Sequence, residues 1–148
     1  RKPIETLFAK AQEKKVGIIV RLPLASGLLA GKFSKETTFG EDDHRNYNKD
    51  GGAFNVGETF AGLPFERGVE AADQIKPLVP ETMTMAQMAM RWVLDFEAVS
   101  VIIPGATKVR QVVDNTAVSE LPPLSDVLHE QLKTIYEQDA HAHIRGPY

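Results

Sequence analysis

Two short stretches hold the residue types that an anionic ligand needs at the end of a strand. The first runs Leu22-Pro23-Leu24-Ala25-Ser26-Gly27 and continues through Leu28-Leu29-Ala30-Gly31 to Lys32. The second runs Pro104-Gly105-Ala106-Thr107, with Lys108 and Arg110 close behind. Each follows an apolar run and precedes a helical pattern, so that orphan backbone N–H groups and a helix dipole face the ligand. Small residues let a phosphate approach the main chain closely. Two cations in a helix's first turn oppose its dipole, at roughly 0.3–1 kcal/mol each when exposed, and make sense with a phosphate between them. The plain alternative is that glycine and proline only punctuate the strand ends.

Other candidate chemistry is weaker. His141 and His143 have no third or fourth metal ligand nearby in sequence and read as a frayed tail. Asp42, Asp43 and His44 read as a solvated loop, Trp92 and Met88 as core, and Glu81 and Asp95 as helix-end or surface acids. No Ser-His-Asp pattern, P-loop or Rossmann fingerprint is present. Zero cysteines exclude a disulfide framework, a thiolate metal site and a cysteine nucleophile.

The elements that position the two stretches follow from periodicity. Ile4, Leu7, Phe8 and Ala11 predict an amphipathic helix over 3–14, and Val16 to Leu22 a strand that Pro23 ends. Residues 34–62 are polar and Gly-rich without usable periodicity, a long loop that is functional or disordered. A second helix starts at Pro64. A third opens on a Thr84-x-x-Gln87 capping box, and a second strand covers Val99 to Ile103. Helices over about 108–118 and from Ser125 complete the chain.

Both strands are apolar on two faces, the pattern of a parallel sheet covered by helices on both sides. Two strands cannot satisfy each other's outer edges, so the sequence predicts part of a larger α/β sheet that self-associates or is completed by a partner. The chain opens on Arg1 rather than methionine, which adds to the expectation of a fragment.

The chain has 148 residues, 43% of them hydrophobic and 25% charged, enough for one core-bearing domain. A net charge of −3 predicts no nucleic-acid partner. The longest apolar run, residues 16–31, is interrupted by Arg21 and Pro23 and falls short of the ~20 residues of a spanning helix. The expectation is therefore a chain with no membrane partner, located in the cytoplasm.

PLASGLLAGKF and VSVIIPGATKVRQVVDN resemble the seventh and eighth strand regions of aldo-keto reductases, and TMAQMAMRW resembles the helix between them. The resemblance covers roughly residues 1–140. It implies the C-terminal half of a (β/α)8 TIM barrel, here an α/β chain of two parallel strands and about five helices. It also implies NADP(H) as cofactor and a small-molecule carbonyl substrate in the parent enzyme. Carried over by motif, Arg21, Leu22, Pro23, Leu24, Ala25 and Ser26 would hold the phosphates and the nicotinamide side, with Lys32 and, on the long loop, Arg45. Arg21 stands where the family often has an aromatic ring stacking on the nicotinamide, and Leu22 where serine is common. Gly105 and Thr107 would line the 2′-phosphate, and Gln111, Asp114 and Asn115 would reach the ribose and adenine. Gly105 replaces a lysine common in the family, leaving the charge to Lys108 or Arg110.

The family's catalytic aspartate, tyrosine, lysine and histidine match no position here, so the isolated chain is expected to reduce nothing. Tyr47, Tyr136 and Tyr148 sit beside no lysine at a strand end. The alternative implied by the family is a non-catalytic half-barrel that binds nucleotide or another protein, since some relatives are accessory subunits of membrane channels.

Overall fold

The computed structural model describes residues 1–146; Tyr148 lies outside them. The expected first helix forms in two pieces, α1 (Lys2–Thr6) and α2 (Phe8–Glu13), broken where Leu7 takes φ −121°. Strand β1 is Ile18–Arg21, shorter at both ends than the apolar run. The turn that follows leads into the long loop, which contains one short α-helix, α3 (His44–Tyr47), and two 3₁₀ turns, Val56–Glu58 and Phe60–Gly62. Helices α4 (Phe65–Ile75) and α5 (Met85–Leu94) lead to β2 (Val99–Ile103), α6 (Val109–Thr116) and α7 (Asp126–Ile135).

The caps form as the sequence dictates. Thr84 Oγ1 accepts from Gln87 N at 3.2 Å while Gln87 Oε1 accepts from Thr84 N at 2.9 Å, closing both ends of the capping box on α5. Ser125 Oγ caps α7 through Leu128 N.

The two strands pair in parallel, Ile19 opposite Val101 and Arg21 opposite Ile103, with an irregularity between Ile18 and Ile19. Burial on both faces is corrected by the structure. Ile19 is 65% exposed, Val101 42% and Ile103 55%, so helices cover one face and nothing among the described residues covers the other. The alternation follows from the pleat, which points successive side chains to opposite faces.

Two apolar clusters form the core. Leu28, Phe60 and Val69 pack with Phe33, Phe39 and Phe65, and Met88, Leu124 and Leu128 pack with Trp92 and Leu132. The 34–62 loop is ordered against the first cluster by a buried polar hub rather than by periodicity. Asn48, fully buried, accepts from Ala53 N and Phe54 N at 3.1 and 2.8 Å and donates to the buried Thr59 Oγ1 at 3.0 Å. Buried amides need such partners, and here they fold the loop back on itself.

Candidate functional site: a cradle at the carboxyl ends of the strands

Because β1 and β2 are parallel and in register at their last residues, both suspect stretches leave the same edge of the sheet. After β1 the backbone turns sharply. Leu22, Ala25 and Ser26 have φ of 55°, 47° and 57°, and Gly27 has 100°. Three non-glycine residues in the left-handed region within five positions store roughly 1–3 kcal/mol each, and such strain gathers at ligand sites. The long loop closes on this turn. Ser26 Oγ donates to Glu58 O at 3.3 Å and accepts from Phe60 N at 3.2 Å, and Arg21 is ion-paired to Glu58. Pro23 and Leu24 are half-buried within the turn, and Lys32 is exposed beyond it.

Arg45 sits on the same side. Its Nη1 would lie 3.8 Å from a Cβ placed on Gly27, and its guanidinium stacks over Phe39 at 4.5 Å. Asp43 anchors it, accepting from Arg45 Nε and from Arg45 N, each at 2.9 Å. The guanidinium hydrogen bonds hold the Asp43 carboxyl at about 2, well below the usual carboxylate range. Asp43 therefore stabilises the fold above about pH 4, and that contribution disappears as pH falls toward 2. In a series of thermal melts, Asp43→Asn is expected to lower stability at neutral pH and to flatten its loss between pH 4 and 2. An acid limb identical to that of the parent chain would contradict this.

The second stretch is open. Gly105 is exposed, and a Cβ there would meet nothing within 4 Å. The Gln111 side-chain oxygen is engaged as a cap, accepting from Thr107 N at 2.7 Å, Thr107 Oγ1 at 3.1 Å and Lys108 N at 2.9 Å. Only its amide N–H groups remain for a ligand. Asp114 lies 3.6 Å from Arg110, which reduces the charge that Arg110 offers, while Asn115 is half-buried. Lys108 forms no ion pair among the described residues. With Thr107 N, Thr107 Oγ1 and Lys108 N all donating to Gln111, the donors left for a phosphate at this exposed end of α6 are the Lys108 ammonium and the amides of the helix's first turn.

The structure thus brings Arg21, Leu22, Ala25, Ser26 and Arg45 together around one turn and Gly105, Thr107 and Gln111 around another. Sequence reasoning missed Glu58, which neutralises Arg21; its partner is 37 residues away across an aperiodic loop. The two described tyrosines make other contacts. Tyr47 is half-exposed against Phe54, and Tyr136 lies 5.3 Å from Arg1 and 5.5 Å from His141.

A profile of the Aldo/keto reductase family matches residues 1–137. The chain belongs to that family, and its two parallel strands and helices are part of the family's (β/α)8 barrel. It is 34% identical over 109 residues to an L-glyceraldehyde 3-phosphate reductase of Escherichia coli O157:H7, covering 74% of this chain and 30% of that one. A probable voltage-gated potassium channel subunit beta of Arabidopsis thaliana is 27% identical over 129 residues, 82% of this chain and 36% of that one. Among solved structures, a glycerol dehydrogenase of Gluconobacter oxydans superposes with a TM-score of 0.72 at 26% identity, covering all of this chain and 41% of that one. The chain therefore spans about a third of the length of these curated relatives. Among the described residues, no helix is long and apolar enough to cross a membrane.

Proposed function

We propose that this chain is the cofactor-holding part of an NADP(H)-dependent aldo-keto reductase that reduces an aldehyde or ketone of small size in the cytoplasm. The cofactor supplies the hydride, from nicotinamide C4 to the carbonyl carbon; the chain's residues bind and orient it. The turn Arg21–Ser26 with Arg45 takes the nicotinamide and pyrophosphate side, and Gly105, Thr107, Lys108, Gln111 and Asn115 take the adenosine side. The supporting observation is the register of Arg21 opposite Ile103, which puts both turns at one carboxyl edge. No residue is assigned to proton transfer. The open sheet face around Ile19, Val101 and Ile103 favours self-association of the chain. A second reading, a non-catalytic nucleotide-binding subunit, is favoured by the likeness to the potassium channel subunit.

Titration with NADPH tests the shared core of both readings. Trp92 is the sole tryptophan, so a saturable fall in its emission is expected, and a flat trace would overturn the proposal. Gly105→Lys has open space to reach the 2′-phosphate. A charge-assisted bond of about 1.5–3 kcal/mol is expected to tighten NADPH tenfold or more while leaving NADH unchanged.

A further inference from the structure

Both arginines at the first turn carry a matched charge. Arg21, the last residue of β1, is ion-paired to Glu58, and Arg45 is held by Asp43. The other turn differs, since the Lys108 ammonium there has no ion pair among the described residues. Glu58 stands on a fixed piece of backbone. Its 3₁₀ turn, Val56–Glu58, is capped by Asn55 Oδ1, which accepts from Gly57 N at 2.8 Å. Thr59 and Phe60, the next two residues, are buried, and Ser26 Oγ ties Glu58 O and Phe60 N to the strand-end turn. The loop therefore presents an anchored carboxylate to the end of β1. The Arg21 side chain is 63% exposed and that of Glu58 35%, and pairs so open to solvent add little to stability. Stability thus gives little reason to set a carboxylate beside a turn suited to an anion.

Charge balance gives a reason. Loss of hydride turns the neutral dihydronicotinamide into a cationic ring, while the phosphates keep their charge. A bare guanidinium beside that ring repels the oxidised form and not the reduced one, whereas a guanidinium matched by a carboxylate treats the two more evenly. We propose that Glu58 sets the balance between the two redox forms of the cofactor: by cancelling the charge of Arg21, it admits the cationic nicotinamide of NADP⁺ to the cradle. The inference rests on the reading that the turn Arg21–Ser26 takes the nicotinamide side. Arg21 also lines, with Leu22, Ala25 and Phe60, an apolar cavity of about 380 Å³, whose walls screen charge less than water does. Glu58 determines specificity through charge alone.

Calorimetric titration of the 148-residue chain with NADPH and with NADP⁺ tests this. Glu58→Gln keeps an oxygen for Arg21 and removes the charge. The ratio of the NADP⁺ to the NADPH dissociation constant is then expected to rise about three- to tenfold. Arg21→Gln leaves the carboxylate alone, and the ratio is expected to fall by a similar factor. The double variant is expected to bring it back to within about twofold of the parent value. A purely structural role would weaken both forms together, and changes at the phosphates cancel in the ratio because both forms carry them. A parent chain that binds neither form would overturn the cofactor reading and this inference with it. A parent chain that binds NADPH but not NADP⁺, or an unchanged ratio in folded Glu58→Gln or Arg21→Gln, would overturn the inference alone.

Discussion

Replacing Asp95 by alanine is expected to destabilise the chain by about 3–5 kcal/mol, seen as a urea midpoint shift and a melting temperature lower by about 10 °C. Asp95 closes α5 and ties it to α7. Its Oδ1 accepts from Arg91 Nε at 2.8 Å, and its Oδ2 accepts from Leu124 N at 3.0 Å and lies 2.9 Å from His129 Nε2. The Asp95 side chain is only 7% exposed and that of Arg91 12%. Alanine would leave a desolvated guanidinium with one long bond, to Leu121 O at 3.4 Å, and an unpaired amide at Leu124. The loss of a partner, rather than the worth of the pair itself, makes the effect large. His129→Ala removes one half-buried arm and should cost about 1–2 kcal/mol. Equal losses for the two variants would show that Asp95 is not the hub.

Why this residue reads as an ordinary helix-end acid in the sequence is instructive. Its local partner, Arg91, has the i, i+4 spacing of any surface pair, and its other two partners lie 29 and 34 residues downstream. What is legible locally is what short-range chemistry decides. The β-branched runs became the two strands, Thr84 and Gln87 closed their box, and Ser125 capped α7. The two strand-end turns were legible for the same reason, since their glycines, prolines and cations cluster within a few residues of each strand end. The order of the long loop was not. It depends on Asn48 satisfying Ala53, Phe54 and Thr59, and on Arg45 stacking over rings from before the helix it occupies. Nor could periodicity reveal that the Gln111 carbonyl oxygen would be consumed as a cap, because the same residue type at that position serves either a helix end or a ligand.

Gly62→Ala is expected to cost about 3 kcal/mol or more and to loosen the loop that closes on the cradle. Gly62 has φ +81°, where a side chain is strained by roughly 1–3 kcal/mol. A Cβ there would come within 2.7 Å of the Arg145 carbonyl oxygen, a backbone atom that cannot rotate away. Arg145 is held to this loop from several directions. Its N and Nε both donate to Gly62 O at 3.0 Å, Nη1 meets Asp50 at 2.8 Å and Nη2 donates to Lys49 O at 2.7 Å. Moving the tail therefore breaks several bonds at about 0.5–1.5 kcal/mol each. Arg145→Ala loses only the side-chain bonds and keeps the glycine turn, so a smaller loss, about 1–2 kcal/mol, is expected. The functional consequence runs through Glu58, four residues before Gly62, which neutralises Arg21 and receives the Ser26 hydroxyl. A displaced loop should expose the bonds after Asn48 to limited proteolysis and weaken NADPH binding in the same variant. Proteolysis and NADPH affinity matching the parent chain would show that the Gly62 turn does not hold the loop over the strand ends.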